Sequence, residues 1–275
     1  MPADIEQDVE RTLAEDIGSG DVTAVLIPET VIARATVISR ESAVLCGTAW
    51  FDAVFRRLEP AIAVTWYKHD GDAVSSGDSL CKLHGPARPM LTGERTALNF
   101  LQTLSGTATL ARRYADAVKG SGAVVLDTRK TIPGLRNAQK YAVAVGGCRN
   151  HRHGLYDGVL IKENHIMAAG SIGAAVAQAR RQASGLPIEV EVENIGQLEE
   201  ALAAGAELVL LDNFSEDQLR AAVSVNARRS RLEASGGVTL ENIKTIAATG
   251  VDYISTGALT KDIHAVDLSM RFETR

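Results

Sequence analysis

A chain of 275 residues that is 45% hydrophobic and 23% charged is long enough to bury a sizeable core, in one large domain or two. A net charge of −5 with only 4% aromatic residues speaks against a nucleic-acid surface, which needs a basic stripe with stacking rings. No apolar run approaches the roughly 18 residues that span a bilayer, and the acidic first residues do not resemble a secretion signal, so a cytoplasmic protein with no membrane partner is expected. Cys46, Cys81 and Cys148 are widely spaced and odd in number, which suits neither a disulfide framework nor a Cys-rich zinc site.

In chain order, residues 1–18 read as an acidic helix. Ala33–Arg40, Ala61–Asp70 and Ser79–Gly85 read as short strands between Gly-Asp and Ser-Gly turns, and Thr48–Glu59 carries apolar residues at helical spacing. This mixture predicts an α+β domain over residues 1–107. Gly93–Val118 reads as one long helix or two, interrupted around Ser105 and Gly106, and leads into a second domain over residues 108–275, whose last few residues can pack back on the first.

From there strand and helix alternate. Strands are predicted at Ala123–Asp127, Gly158–Lys162, Ile188–Glu193, Leu208–Asp212, Arg231–Ser235 and Val251–Thr256, with helices at Ile172–Ser184, Ile195–Ala204, Glu216–Ala227 and Leu240–Thr249. Alternation with short loops implies parallel strands joined by right-handed crossovers. Nearly every strand ends in a chemically capable residue: Asp127, Lys162, Glu191 or Glu193, Asp212, Ser235, Thr256. A β/α barrel builds its active site from the C-terminal ends of all its strands, whereas an open sheet concentrates function at one crevice, so the pattern predicts an α/β fold with a barrel.

Charge is distributed unevenly along the chain. Between Leu126 and His165 lie seven Lys/Arg (Arg129, Lys130, Arg136, Lys140, Arg149, Arg152, Lys162) against three acids (Asp127, Asp157, Glu163), inside a net-acidic protein. Such concentration points to a small, highly anionic ligand. After the last two strands, Ser235-Gly236-Gly237 and Thr256-Gly257-Ala258 each precede a helix. One such turn alone reads as a glycine placed for positive φ. Two in succession at this position read as a phosphate grip, where small residues let backbone N–H groups approach the anion.

The segments ERTALNFLQTLSGTAT, LDTRKTIPGLRNAQKYAV, GGCRNHRHGLYD, LIKENHI, EVEVEN, LDNF, EASGG and DYISTGALTK, in this order and spacing, resemble the quinolinate phosphoribosyltransferases. The resemblance is densest over residues 94–261. It implies an N-terminal α+β sandwich domain, a partly open β/α barrel, and a homodimer with shared active sites that can assemble further. It implies transfer of the phosphoribosyl group of phosphoribosyl pyrophosphate to quinolinate with decarboxylation, giving nicotinate mononucleotide, carbon dioxide and pyrophosphate in NAD biosynthesis, with Mg²⁺. By the same resemblance Arg129, His151, Arg152 and Lys162 hold the quinolinate carboxylates and Arg95 reaches in from the partner subunit. Lys130 and Lys162 also face the sugar phosphate or pyrophosphate, Glu191 and Asp212 lie near the ribose and Mg²⁺, and Ser235, Gly236, Gly237, Gly257 and Ala258 bind phosphate. Lys130, Lys162, Glu191 and Asp212 are the catalytic set. Quinolinate is a dianion, and planar guanidinium forks match carboxylates as a lysine point charge cannot. The departing C2 carboxylate is expected in the less positive part of the pocket, since tight ion pairing would slow its loss. Ala144, Val145 and Cys148 depart from the pattern beside the pocket, and Arg149 has no assigned target.

Other readings compete. A nicotinate-using transferase would need fewer cations than Arg95, Arg129, Arg152 and Lys162 supply, and a metal-uptake paralogue fits poorly with intact TRKT, NHR and IKENH runs. Lys162, ending a strand, could form a Schiff base, although the surrounding cations serve an anion pocket equally well. HDGDAVSSGDSLCKL resembles a biotinyl or lipoyl hairpin, but no lysine stands at the expected tip. Glu189, Glu191 and Glu193 alternate along one strand and share a face; Glu189 or Glu193 would support Glu191. His165 is uninformative alone, and His69, His84, His153 and His264 read as surface or packing residues.

Overall fold

A computed structural model describes residues 1–273. In chain order the first elements are α1 (Ile5–Ile17), β1 (Ile32–Ser39), β2 (Ala43–Val44), α2 (Thr48–Leu58), β3 (Ala63–Trp66), β4 (Ala73–Val74), β5 (Ser79–Pro86) and α3 (Ala87–Ala117). They are followed by β6 (Val124–Leu126), α4 (Arg136–Val145), β7 (Val159–Ile161), α5 (Glu163–Ala169), α6 (Ile172–Gln182), β8 (Ile188–Val192), α7 (Ile195–Ala203) and β9 (Leu208–Asp212). The series ends with α8 (Glu216–Asn226), β10 (Arg231–Ser235), α9 (Ile243–Ala247), β11 (Tyr253–Ser255), α10 (Ala258–Lys261) and β12 (Leu268–Glu273). Contacts divide the chain into two units, one of residues 1–112, 132–147 and Asp262 onward, the other of residues 113–131 and 148–261.

The first unit is antiparallel. Its four-stranded sheet runs β12-β1-β5-β3, so the last described strand pairs with the first. β1 alternates buried and more exposed residues, which puts Ala33, Ala35 and Val37 on the core face. Against them are buried Val9 and Leu13 of α1, Trp50, Phe51 and Phe55 of α2, and Leu98 and Leu101 of α3. Trp50 donates its indole N–H to Asp8 Oδ2 at 3.2 Å, and burial holds that carboxyl above the usual range. The expected interruption at Ser105 and Gly106 does not occur, because α3 is continuous. These two small residues serve close approach instead. Ser105 Oγ accepts the Cys46 N–H at 2.9 Å, and a Cβ on Gly106 would lie 2.1 Å from the His264 carbonyl oxygen.

The second unit is parallel throughout, with strand order β6-β11-β10-β9-β8-β7. The first and last of these strands in chain order, β6 and β11, pair with each other, so the sheet curls round on itself and opens between β6 and β7. This is the partly open β/α barrel. On the β6 edge, Arg149 forms a parallel bridge to Leu126, donating its N–H to Val125 O at 2.9 Å and accepting the Asp127 N–H at 3.1 Å. Arg149, which had no assigned target, thus contributes its backbone to the sheet edge. Side-chain oxygens cap the outer helices: Ser171 accepts from Ala174, Asn194 from Gln197, and Ser215 from Gln218 within a capping box.

A period of two sorts the barrel strands. Val190, Val192, Val209, Leu211, Leu232 and Ile254 are buried on one face. The alternate residues, including Leu160, Glu191, Leu210, Asp212, Glu233 and Ser235, line the barrel's cavity. Barrel interiors are ordinarily filled by branched apolar side chains. This one instead buries Glu189 and Glu233.

Candidate active site

At the C-terminal ends of the barrel strands lies a cavity of about 530 Å³. It gathers Arg129, Lys130, His151, Arg152, Lys162, Glu191, Asp212, Ser235, Gly236 and Gly237 from segments spread over more than a hundred residues. Lys162 follows β7, Asp212 ends β9 and Ser235 ends β10. Strand ends deliver these groups to one place because every parallel strand runs the same way.

Asp127 organises the entrance to the Asn150-His151-Arg152 run. Fully buried after β6, its two oxygens accept the His151 backbone N–H at 2.8 Å and the Asn150 side-chain amide at 2.7 Å. His151 turns its ring inward: Nδ1 accepts the Arg152 N–H at 2.9 Å, so Nε2 carries the proton and donates to Glu189 Oε2 at 2.8 Å. Arg152 donates to Gly158 O at 3.2 Å. Burial, and then the neighbouring Arg129, lower its pKa, with Glu189 and Asp157 opposing. Arg129 Nε is itself buried without a hydrogen-bond partner. Two guanidinium groups lining one cavity, one with an unsatisfied buried donor, form a site prepared for an anion.

Lys162 Nζ donates to Glu191 Oε2 at 2.6 Å, an ion pair of a charged lysine rather than the desolvated amine a Schiff base requires. His165 accepts the Lys162 backbone N–H on Nδ1 at 3.0 Å, which closes the first turn of α5. On the phosphate side, Gly236 has φ +97°, and a Cβ there would fall 2.1 Å from Asn213 Oδ1; beside Gly237, φ +59°, the space is open. Gly257 abuts Lys130, whose Cδ would be 2.9 Å from an added Cβ. The Ala258 N–H donates to Thr256 Oγ1 at 3.2 Å. Arg95 stands exposed on α3 in the other unit. Glu193 is exposed past the end of β8, which leaves Glu189 as the acid beside Glu191 on the inner face.

The model of the quinolinate phosphoribosyl transferase C-terminal domain matches residues 107–271, and that of the N-terminal domain of the same family matches residues 21–105. The chain belongs to the quinolinate phosphoribosyltransferase family. It is 42% identical over 257 residues, 93% of this chain and 89% of the other, to a probable carboxylating nicotinate-nucleotide pyrophosphorylase of Bacillus subtilis. It is 42% identical over 272 residues, 95% of each chain, to the carboxylating nicotinate-nucleotide pyrophosphorylase of Mycobacterium leprae. The solved nicotinate-nucleotide pyrophosphorylase of Francisella tularensis superposes with a TM-score of 0.96 at 46% identity, covering 99% of this chain and 98% of that one. As a quinolinate phosphoribosyltransferase the chain is a decarboxylating pentosyltransferase of NAD biosynthesis.

Sequence reasoning missed several lining residues. Thr128 lines the cavity and accepts the Lys130 N–H on Oγ1 at 3.1 Å. Asn213 lines it too, with a φ of +57° and its amide donating to Asp212 Oδ2 at 2.8 Å. An Asn directly after a strand-ending Asp was the available signal, since Asn tolerates positive φ better than most residues. Glu233 carried no local signal at all.

Proposed function

We propose that this cavity is where the chain performs its family's reaction, with the cation cluster of Arg129, Arg152 and Lys162 receiving the quinolinate carboxylates. The buried, unpartnered Arg129 Nε beside Arg152 carries this reading, because a paired-carboxylate dianion satisfies both guanidinium groups at once. His151, whose ring is engaged with Glu189, lies at the base of the same pocket and orients it. Lys130 and the Ser235-Gly236-Gly237 turn, together with Gly257 and Ala258, take the phosphate groups of phosphoribosyl pyrophosphate; the room beside Gly237 supports this placement.

Glu191 and Asp212 offer hard carboxylate oxygens at the cavity wall, the donor set with which Mg²⁺ is bound through one or two carboxylates plus substrate phosphates. Glu191 and Asp212 would hold the ion there, where it would supply positive charge to offset that of the departing pyrophosphate. As pyrophosphate departs, positive charge develops on the ribose ring, and these two carboxylates stabilise it more than the ground state. The pyridine nitrogen then attacks, and once quaternary it holds the electrons released with carbon dioxide.

A division into domains at residues 107/108 is part of the same proposal, supported by the point where the two family models meet. So are a homodimer in which Arg95 serves the partner's site, and a cytoplasmic location, in keeping with three buried cysteines that form no disulfide. Among the described residues no helix is long and apolar enough to cross a membrane. Incubation with Mg²⁺, phosphoribosyl pyrophosphate and either quinolinate or nicotinate tests the substrate. Equimolar mononucleotide and carbon dioxide from quinolinate alone is expected, and turnover of nicotinate instead would overturn the role of the cation cluster. Mixing Arg95→Ala chains with Lys162→Ala chains tests the shared site: recovery of about a quarter of wild-type activity is expected if heterodimers form statistically with one intact site each, and no recovery would place both residues in one subunit's site.

A further inference from the structure

Loss of carbon dioxide leaves an electron pair on C2 of the pyridine ring that must take up a proton, and none of the residues assigned above supplies it. Glu233, on the inner face of β10, is fully buried, and neither of its carboxyl oxygens has a hydrogen-bond partner. His151 Nε2 lies 3.7 Å from its Oε2 but is hydrogen-bonded to Glu189 at 2.8 Å, while Nδ1 accepts the Arg152 N–H. The groups acting on Glu233 are Glu189 from β8, His151 from the segment before β7, and the Ser255 hydroxyl from β11. Two buried carboxyl groups thus sit together, an arrangement in which one keeps its proton, with His151 opposing. Burial, and then the charge of Glu189, push Glu233 up to about 8.

Glu233 also faces two ways. It lines the site cavity, and it lines a second cavity of about 290 Å³ that Gly158, Pro187, Leu208 and Tyr253 border near the N-terminal ends of the strands. It thus stands as a partition between substrate on one side and a second cavity on the other. The two acids at this point also make it the least positive part of the pocket, where a departing carboxylate is held least firmly.

We propose that Glu233 is the acid that protonates C2 as carbon dioxide leaves, and that it is recharged through the second cavity. The inference rests on the quinolinate reading. In the step itself the bond between C2 and its carboxylate breaks as C2 takes the carboxyl proton of Glu233, so the electron pair released beside the quaternary nitrogen goes into the new C–H bond while carbon dioxide departs. Glu233 is left as a carboxylate that water in the second cavity reprotonates. Glu189 stays an acceptor for His151 and holds the imidazole out of the way.

Single-turnover measurements on the full-length enzyme with Mg²⁺, phosphoribosyl pyrophosphate and quinolinate labelled in the C2 carboxylate test this, reading pyrophosphate and carbon dioxide separately. In the wild type the two are released together. In Glu233→Gln, pyrophosphate release should slow less than about threefold while carbon dioxide release slows about a hundredfold, in the range ascribed to a general acid, so that a dicarboxylated mononucleotide accumulates. Glu233→Asp should restore part of the second step. Equal slowing of both products, or of neither, would overturn the proposal, as would a stoichiometric metal ion retained by the wild type and lost from Glu233→Gln, since His151, Glu189 and Glu233 present atoms within 4.8 Å of one another. In the wild type alone, the ratio of carbon dioxide to pyrophosphate release should fall as pH rises through about 8, and a flat ratio would count against Glu233 even if the variant failed to fold. Failure of the substrate reading is distinct: the wild type would then release neither product from quinolinate.

Discussion

Replacing Glu233 by Gln should stabilise the protein at neutral pH, and the gain should depend on pH. In the folded chain burial and Glu189 raise this carboxyl from 4.5 to about 8. The unfolded chain therefore releases the proton near pH 4.5 while the native one keeps it, so between these values the native state binds more protons and its stability falls as pH rises. At pH 7 the deficit spans two and a half pH units at about 1.4 kcal/mol each, or about 3 kcal/mol relative to acid, and it stops growing above about pH 8. Glutamine has the same shape and no proton to lose. Urea unfolding of both proteins between pH 5 and 9.5, followed by far-ultraviolet circular dichroism, should show the variant's advantage widening by about 3 kcal/mol from pH 5 to 7, growing further to about pH 8 and then levelling off. A constant offset from the glutamine amide would not matter, because the slope is diagnostic. Parallel pH profiles would mean that Glu233 is ionised in the folded barrel, and the argument from its burial would be wrong.

Three further substitutions probe the site and its frame. Gly236→Ala places a Cβ 2.1 Å from Asn213 Oδ1 at φ +97°, so strain of about 1–3 kcal/mol and a rise in KM for phosphoribosyl pyrophosphate of about tenfold or more are expected, with quinolinate KM little changed; normal steady-state kinetics would remove this turn from the phosphate site. Arg152→Lys loses the planar fork and should raise quinolinate KM about 10- to 100-fold, the cost of a lost charge-assisted hydrogen bond, while phosphoribosyl pyrophosphate KM stays within about threefold. The reverse pattern would move Arg152 to the pyrophosphate side. Gly106→Ala drives a Cβ to 2.1 Å from the His264 carbonyl oxygen, and overpacking against backbone should lower stability by about 1–3 kcal/mol in calorimetry; an unchanged melting temperature would show that the segment at 264 yields freely.

Much of this protein is local in origin and therefore legible along the chain. Strand and helix periodicity located the barrel elements to within a few residues, and the strand-ending positions of Lys162, Asp212 and Ser235 put them at one end of the barrel before any contact was known. The basic stretch between Leu126 and His165 announced an anion, and the two glycine turns a phosphate. Local reading failed where a residue's reason lay elsewhere. Ser105 and Gly106 look like a helix break, yet they lie within a continuous helix because Cys46 and His264 pass close by. Leu240–Thr249 shortens to a helix of Ile243–Ala247, with Asn242 Oδ1 accepting the Thr239 N–H at 2.8 Å in the turn before it.

Alternation along β8 showed that Glu189 and Glu191 share a face, but a period of two does not say which face points into the barrel or what stands opposite. His151 and Glu189 are 38 residues apart and meet at 2.8 Å only because parallel strands curl until β6 pairs with β11. Side-chain type and strand position are properties of the chain. Burial and the proximity of two carboxyl groups, which together keep a proton on Glu233, exist only once the strands have curled around them.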